Sequence, residues 1–91
     1  MQTKLIDGHF SAQDALSIIT QMVHVKVRFH EAKISASCQE EDIKARERRI
    51  KELQQQLFRL RQFIEQHGAD GICLHADLVV ETPSSVLAAQ A

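Results

Sequence analysis

Apolar residues in the middle of this chain recur with a heptad period. Ile43, Ile50, Leu57 and Ile64 stand seven apart, and Leu53 and Leu60 follow two of them by three places. This is an a/d pattern, with Ile mostly at a and Leu at d, and it predicts a helix with a narrow seam suited to knobs-into-holes packing. Ser37 followed by Glu40 spells a capping box, and Gly68 marks the end, so the predicted helix covers residues 38–67. Arg46 and His67 occupy d positions near its two ends, where long side chains reach water. Phe58 and Phe63 flank the seam and widen the apolar arc, as in a bundle rather than a strict zipper.

An earlier helix is predicted over residues 11–36, with Ser11 as N-cap, Asp14 at N3 and Phe10 as a staple. Its wheel carries two apolar rows. One holds Ala15, Ile18, Met22, Val25, Phe29 and Ala32; the other holds Ala12, Leu16, Ile19, Val23, Val27 and Ile34. Two rows imply two packing partners or one broad one. The a positions of this helix run on in sevens into Ile43, so one reading is a single rod from Ser11 to His67, roughly 85 Å long. The other is a hairpin turning at Ser35 to Gln39. The d positions across that junction are Ala32, Gln39 and Arg46, a poor seam, and the hairpin is the reading preferred.

Outside the helices the period shortens. Residues 3–6, 72–74 and 78–80 read as short strands, with Asp7-Gly8 and Asp70-Gly71 as turn signals. Residues 82–91 read as a weakly ordered tail beyond a single domain of residues 1–81. The expected fold is therefore mainly α: an antiparallel helical hairpin with coiled-coil-like packing and short strands near both termini, assembling as a helical bundle.

Composition narrows the function. The chain has 91 residues, 11 basic against 12 acidic, and two cysteines. It is too short for a large core, and balanced charge gives no general pull toward nucleic acid or membrane. Two cysteines make no disulfide framework, and no apolar run spans a bilayer, so a cytoplasmic location is expected. Cys73, His75 and His67, with Cys38 as a fourth in space, are a conceivable metal or nucleophile set, but no standard ligand spacing joins them. No metal, cofactor or enzymatic activity is expected. Cys73 reads instead as a small buried hydrophobe.

Two polar features remain. Lys26, His30 and Lys33 form a row between the apolar rows of the first helix. It is either a structural set paired with acids such as Asp42 or Glu47, or a groove for an anion or acidic partner. Lys44, Arg48, Lys51 and Arg59 form an outer basic face that resembles, in outline, a DNA-contacting helix. Glu40–Lys44 and Glu47–Lys51 at i, i+4 spacing make a solvated, salt-bridged face the better account, which argues against nucleic acid. The expected function is a non-enzymatic protein–protein interaction module, an adaptor, scaffold or regulator; the alternative is a small DNA-associated transcriptional regulator. The module is expected to be a homodimer or homotetramer, and to take a protein partner. Its interface is expected to use Ile50, Leu53, Leu57, Phe58, Leu60, Phe63 and Ile64 with Leu16, Ile19 and Val23.

Overall fold

A computed structural model describes residues 1–84. The elements run β1 (Gln2–Phe10), α1 (Ala12–Ala36), α2 (Glu40–His67) and β2 (Ile72–Val79). The helices pack antiparallel as a hairpin, and the strands from the two ends of the chain pair antiparallel with each other. The molecule is elongated, 46 × 32 × 19 Å, its long dimension matching the roughly 42 Å of α2.

The helices start and stop for identifiable reasons. Ser11 is the N-cap of α1, its Oγ accepting from the Asp14 amide at 3.1 Å. At the far end the chain turns over three residues, and the continuous rod does not form. The capping box expected at Ser37 does not form either. Ser37 closes α1, donating its amide to the Ile34 carbonyl, while its Oγ accepts from the Gln39 amide. Gln39 is then the N-cap of α2 without a side-chain bond, and Glu40, Glu41 and Asp42 at the positive end of the helix dipole support the start instead. Gly68 ends α2 as expected, but with an ordinary negative φ of -90°. Glycine is required there by proximity: a Cβ would lie 2.9 Å from the Ala12 Cβ, at the point where the start of α1 meets the end of α2.

The strands are longer than their alternation suggested. Gly8 does not turn; it lies opposite Leu74 within β1. The polar His75-Ala76-Asp77 does not separate two strands, because His75 pairs across the ladder with Asp7 and Asp77 with Lys4. One sheet face is half-buried through Ile6, Gly8, Phe10, Ile72, Leu74 and Ala76, while the other carries Asp7, His9, Cys73, His75 and Asp77 into solvent. The register slips between Lys4 and Ile6, leaving Leu5 as an irregularity in β1; β2 runs without a break. Between α2 and β2 the Asp70-Gly71 signal does form a turn: Gly71, at φ 96°, sits against the His9 ring, whose Nε2 donates to the Asp70 carbonyl at 3.1 Å. The expected tail beyond residue 84 lies outside the described residues.

The core is small. Ala15, Leu53 and Ile64 are the buried hydrophobics among the described residues, ringed by half-buried Leu16, Ile19, Val23, Val27, Ile50 and Leu57 along the helix–helix seam. Thus the row of α1 headed by Ala12 and Leu16 faces α2. The other row meets the inner sheet face over its first half only.

Candidate functional site

That half-covered row creates the main surface feature. Ile6, Leu74 and Ala76 of the sheet face Ile19, Met22 and Val23 of α1 and Leu60 of α2 across an open apolar groove of about 270 Å³. The strands do not descend fully onto the helices, so Met22 and Leu60 at its floor remain 42% and 41% exposed. Beyond the groove the same row of α1 continues uncovered through Val25, 66% exposed, and Phe29. Phe58 and Phe63 of α2 also face solvent, the Phe63 ring tilted against His67 at 4.7 Å. A second groove of about 370 Å³ lies along the helix pair between Val23, Val27 and Leu57, rimmed by His24, Arg28, Glu31 and Gln54. Neither groove gathers an acid, a base and a nucleophile.

The expected interface residues therefore separate into two groups. Leu53 and Ile64 are buried inside one chain, and Leu16, Ile19, Val23, Ile50 and Leu57 are half-buried in its own seam. Phe58, Leu60 and Phe63 are left facing outward.

The row of Lys26, His30 and Lys33 meets α2 at Arg46. The Arg46 Nη1 donates to His30 Nδ1 at 3.1 Å, while its Nε pairs with Asp42 at 3.3 Å. Lys33 and Arg46 both approach the Phe29 ring, at 5.7 and 5.9 Å from its centre. Acceptance at Nδ1 places the His30 proton on Nε2, which is buried and has no partner among the described residues. Burial first, then the positive fields of Arg46, Lys26 and Arg49, lowers the His30 pKa. Among the described residues neither Lys26 nor Lys33 forms an ion pair with Asp42 or Glu47; Asp42 is engaged by Arg46.

On the outer face of α2, Lys44 pairs with Glu40 at 3.2 Å, and on the flank nearer α1 Arg49 pairs with Glu52 at 3.1 Å. Such exposed pairs contribute only about 0–1 kcal/mol each. Arg48, Lys51 and Arg59 are exposed.

Cys73 is not the buried hydrophobe its strand position suggested. It lies on the outer sheet face opposite His9, and both cysteines are free and exposed. His75 Nδ1 meets Asp7 Oδ1 at 2.8 Å. Cys38 sits at the helical turn, the opposite end of the hairpin from His67. Among the described residues no three His, Cys, Asp or Glu side chains converge as a metal site would require, and no helix is long and apolar enough to cross a membrane. Sequence reasoning missed the groove between sheet and helices; its signal was the run of alternate inward residues Ile72, Leu74 and Ala76.

No known protein family matches the chain, and neither a curated protein nor a solved structure is detectably similar to it.

Proposed function

We propose that this chain is a non-enzymatic protein–protein interaction module, an adaptor, scaffold or regulator, whose working form is a homo-oligomer with the helical pairs of neighbouring copies bundled in coiled-coil fashion. The observation that carries this reading is the imbalance between what is buried and what is not. Ala15, Leu53 and Ile64 are buried, while Val25, Phe29, Phe58 and Phe63 are each more than half exposed. The accessible surface is 7259 Å² for 10.3 kDa. A compact monomer of that mass exposes about 5400 Å². The chain is thus more open than a compact monomer of its mass, in keeping with its elongated shape. Apolar side chains left this exposed on a small domain mark an association face.

Light scattering at micromolar concentration tests it directly. A dimer or tetramer mass is expected. A single-chain mass with full helicity overturns the reading, and tight duplex DNA binding that falls steeply with salt replaces it with the basic face of α2 as the working surface.

A further inference from the structure

The two edges of the ribbon differ. β1 is interrupted at Leu5 and carries Lys4 at the break, both features that discourage further strand pairing. β2 has neither. It is regular from Ile72 to Val79, and among the described residues nothing pairs with its far side. Leu78, Val79 and Val80 at its end are 48%, 53% and 55% exposed.

Backbone direction along β2 follows from its end. Met1 and Val80 exchange both backbone hydrogen bonds, Met1 N to Val80 O at 3.0 Å and Val80 N to Met1 O at 2.8 Å. Peptide groups alternate sides along a strand. The even-numbered residues of β2 therefore turn their backbone groups to β1, and Cys73, His75, Asp77 and Val79 turn theirs to the open edge.

The geometry points to this edge as the surface on which a second copy of the chain pairs, antiparallel about a two-fold at Ala76, joining the two ribbons into one four-stranded sheet. The inference rests on the homo-oligomer reading and names a surface for it. The register is chosen by chemistry. Centred on Ala76, His75 lies opposite Asp77 of the second copy on the outer face, and Leu74 opposite Leu78 on the inner face. An imidazole beside a carboxylate can hydrogen-bond to it, and apolar pairs gain contact, so both pairings favour such positions. Centring on Asp77 would set two carboxylates against each other, and centring on His75 would set histidine against itself. The Ala76 register also covers Val79 and Val80, by Cys73 and Ile72. A two-fold normal to the sheet keeps both helical pairs on the same side, so the inner faces join into one apolar layer.

Two variants test it. In Val79→Pro the lost amide is one that faces the open edge, so the pairing with β1 keeps its hydrogen bonds. The mass by light scattering should fall toward one chain while helicity is retained. In the second, Ala76→Cys is placed on a background of Cys38→Ser and Cys73→Ser. Ala76 lies opposite itself in a non-hydrogen-bonded pair with Cα atoms about 4.5 Å apart, within disulfide reach. Mild oxidation should give a covalent dimer, while Leu78→Cys on the same background should not. If Val79→Pro retains the oligomer mass, or if Ala76→Cys fails to cross-link while the chain remains oligomeric, the β2 edge is not the interface, and association belongs to the helices alone. If the unaltered chain has a single-chain mass, the homo-oligomer reading falls first. Should Val79→Pro unfold, the cross-link decides.

Discussion

The two apolar rows of α1 are nearly equal in the sequence and unequal in the fold. Leu16, Ile19, Val23, Val27 and Ile34 are all at least half-buried, whereas Met22, Val25, Phe29 and Ala32 are all exposed. Composition does not separate them; the second row even contains the largest side chain, Phe29. The difference is in what lies opposite. The first row meets the Ile43, Ile50, Leu57 and Ile64 stripe of α2, which is as long as the row itself. The second meets the inner face of a two-stranded ribbon along its first half: Ala15 is fully buried, and at Met22 the groove opens. A row is therefore core or surface according to the reach of its neighbour, and the uncovered remainder is where association has something to gain.

The strongest way to break the seam between the first row and α2 is to charge its centre on the α2 side. Leu53 is 5% exposed. Leu53→Asp removes its packing and places a carboxylate without a partner in the seam, a loss of about 3 kcal/mol or more. For a domain whose whole stability is of the order of 5–10 kcal/mol, helicity and association should fall together in circular dichroism and light scattering. A fully helical Leu53→Asp protein would show that the seam is not what holds the hairpin.

The next effect is at the point where the hairpin closes. Gly68→Ala introduces a Cβ that would lie 2.5 Å from the Ile64 carbonyl oxygen and 2.9 Å from the Ala12 Cβ. Backbone must shift, and overpacking of this kind costs about 1–3 kcal/mol. Urea denaturation should show a lower midpoint with an unchanged slope.

A substitution in the second row should act on association alone. Val25→Glu replaces a 66% exposed β-branched residue by a better helix former, so the stability of the single chain should hold or rise by a few tenths of a kcal/mol. If that row is covered in the oligomer, the dissociation constant should weaken by about tenfold or more, equivalent to roughly 1.4 kcal/mol. Unchanged association in analytical ultracentrifugation would assign the interface elsewhere, leaving the β2 edge or the flank of Phe58 and Phe63.

These contrasts also explain what was legible in the sequence. Both helices, the Ser11 cap, the stop at Gly68 and the hairpin were readable because each depends on local spacing: heptads, caps and a poor seam across residues 32–46. The strands were foreshortened because polar residues in an exposed ribbon alternate too weakly to distinguish ladder from loop. Asp7-Gly8 and His75-Ala76-Asp77 look like turns until each is set opposite its partner. The second row of α1 was read as needing another neighbour, and part of that neighbour is the chain's own sheet, formed by residues some seventy positions apart. Contacts of that range leave no spacing signal. The interface residues were chosen from the same heptads that build the intramolecular seam, and the pattern of one chain alone cannot say which copy fills a seam. Cys73 was misplaced by face for the same reason that the strand was cut short.

The smallest effect expected is at the border between the rows, and its sign can be worked out. His30 accepts from Arg46 at Nδ1, and its Nε2 is enclosed without a partner among the described residues. Burial, and then Arg46, Lys26 and Arg49, hold its pKa below the ordinary 6.5. The unfolded chain takes up a proton at this residue near the ordinary value, while the folded chain does so only at lower pH. Between those points the unfolded state binds more protons, so the contribution of His30 to stability is complete above 6.5 and declines as pH falls through the window. It stops declining once the folded imidazole is also protonated. His30→Gln retains an acceptor for Arg46 and removes the titration. Urea midpoints measured at pH 7.5 and 5.5 should therefore fall less in the variant than in the unaltered chain, with the other four histidines and all carboxylates common to both. Equal falls would mean that His30 takes up its proton in the fold as readily as out of it, and that Arg46 turns aside when it does.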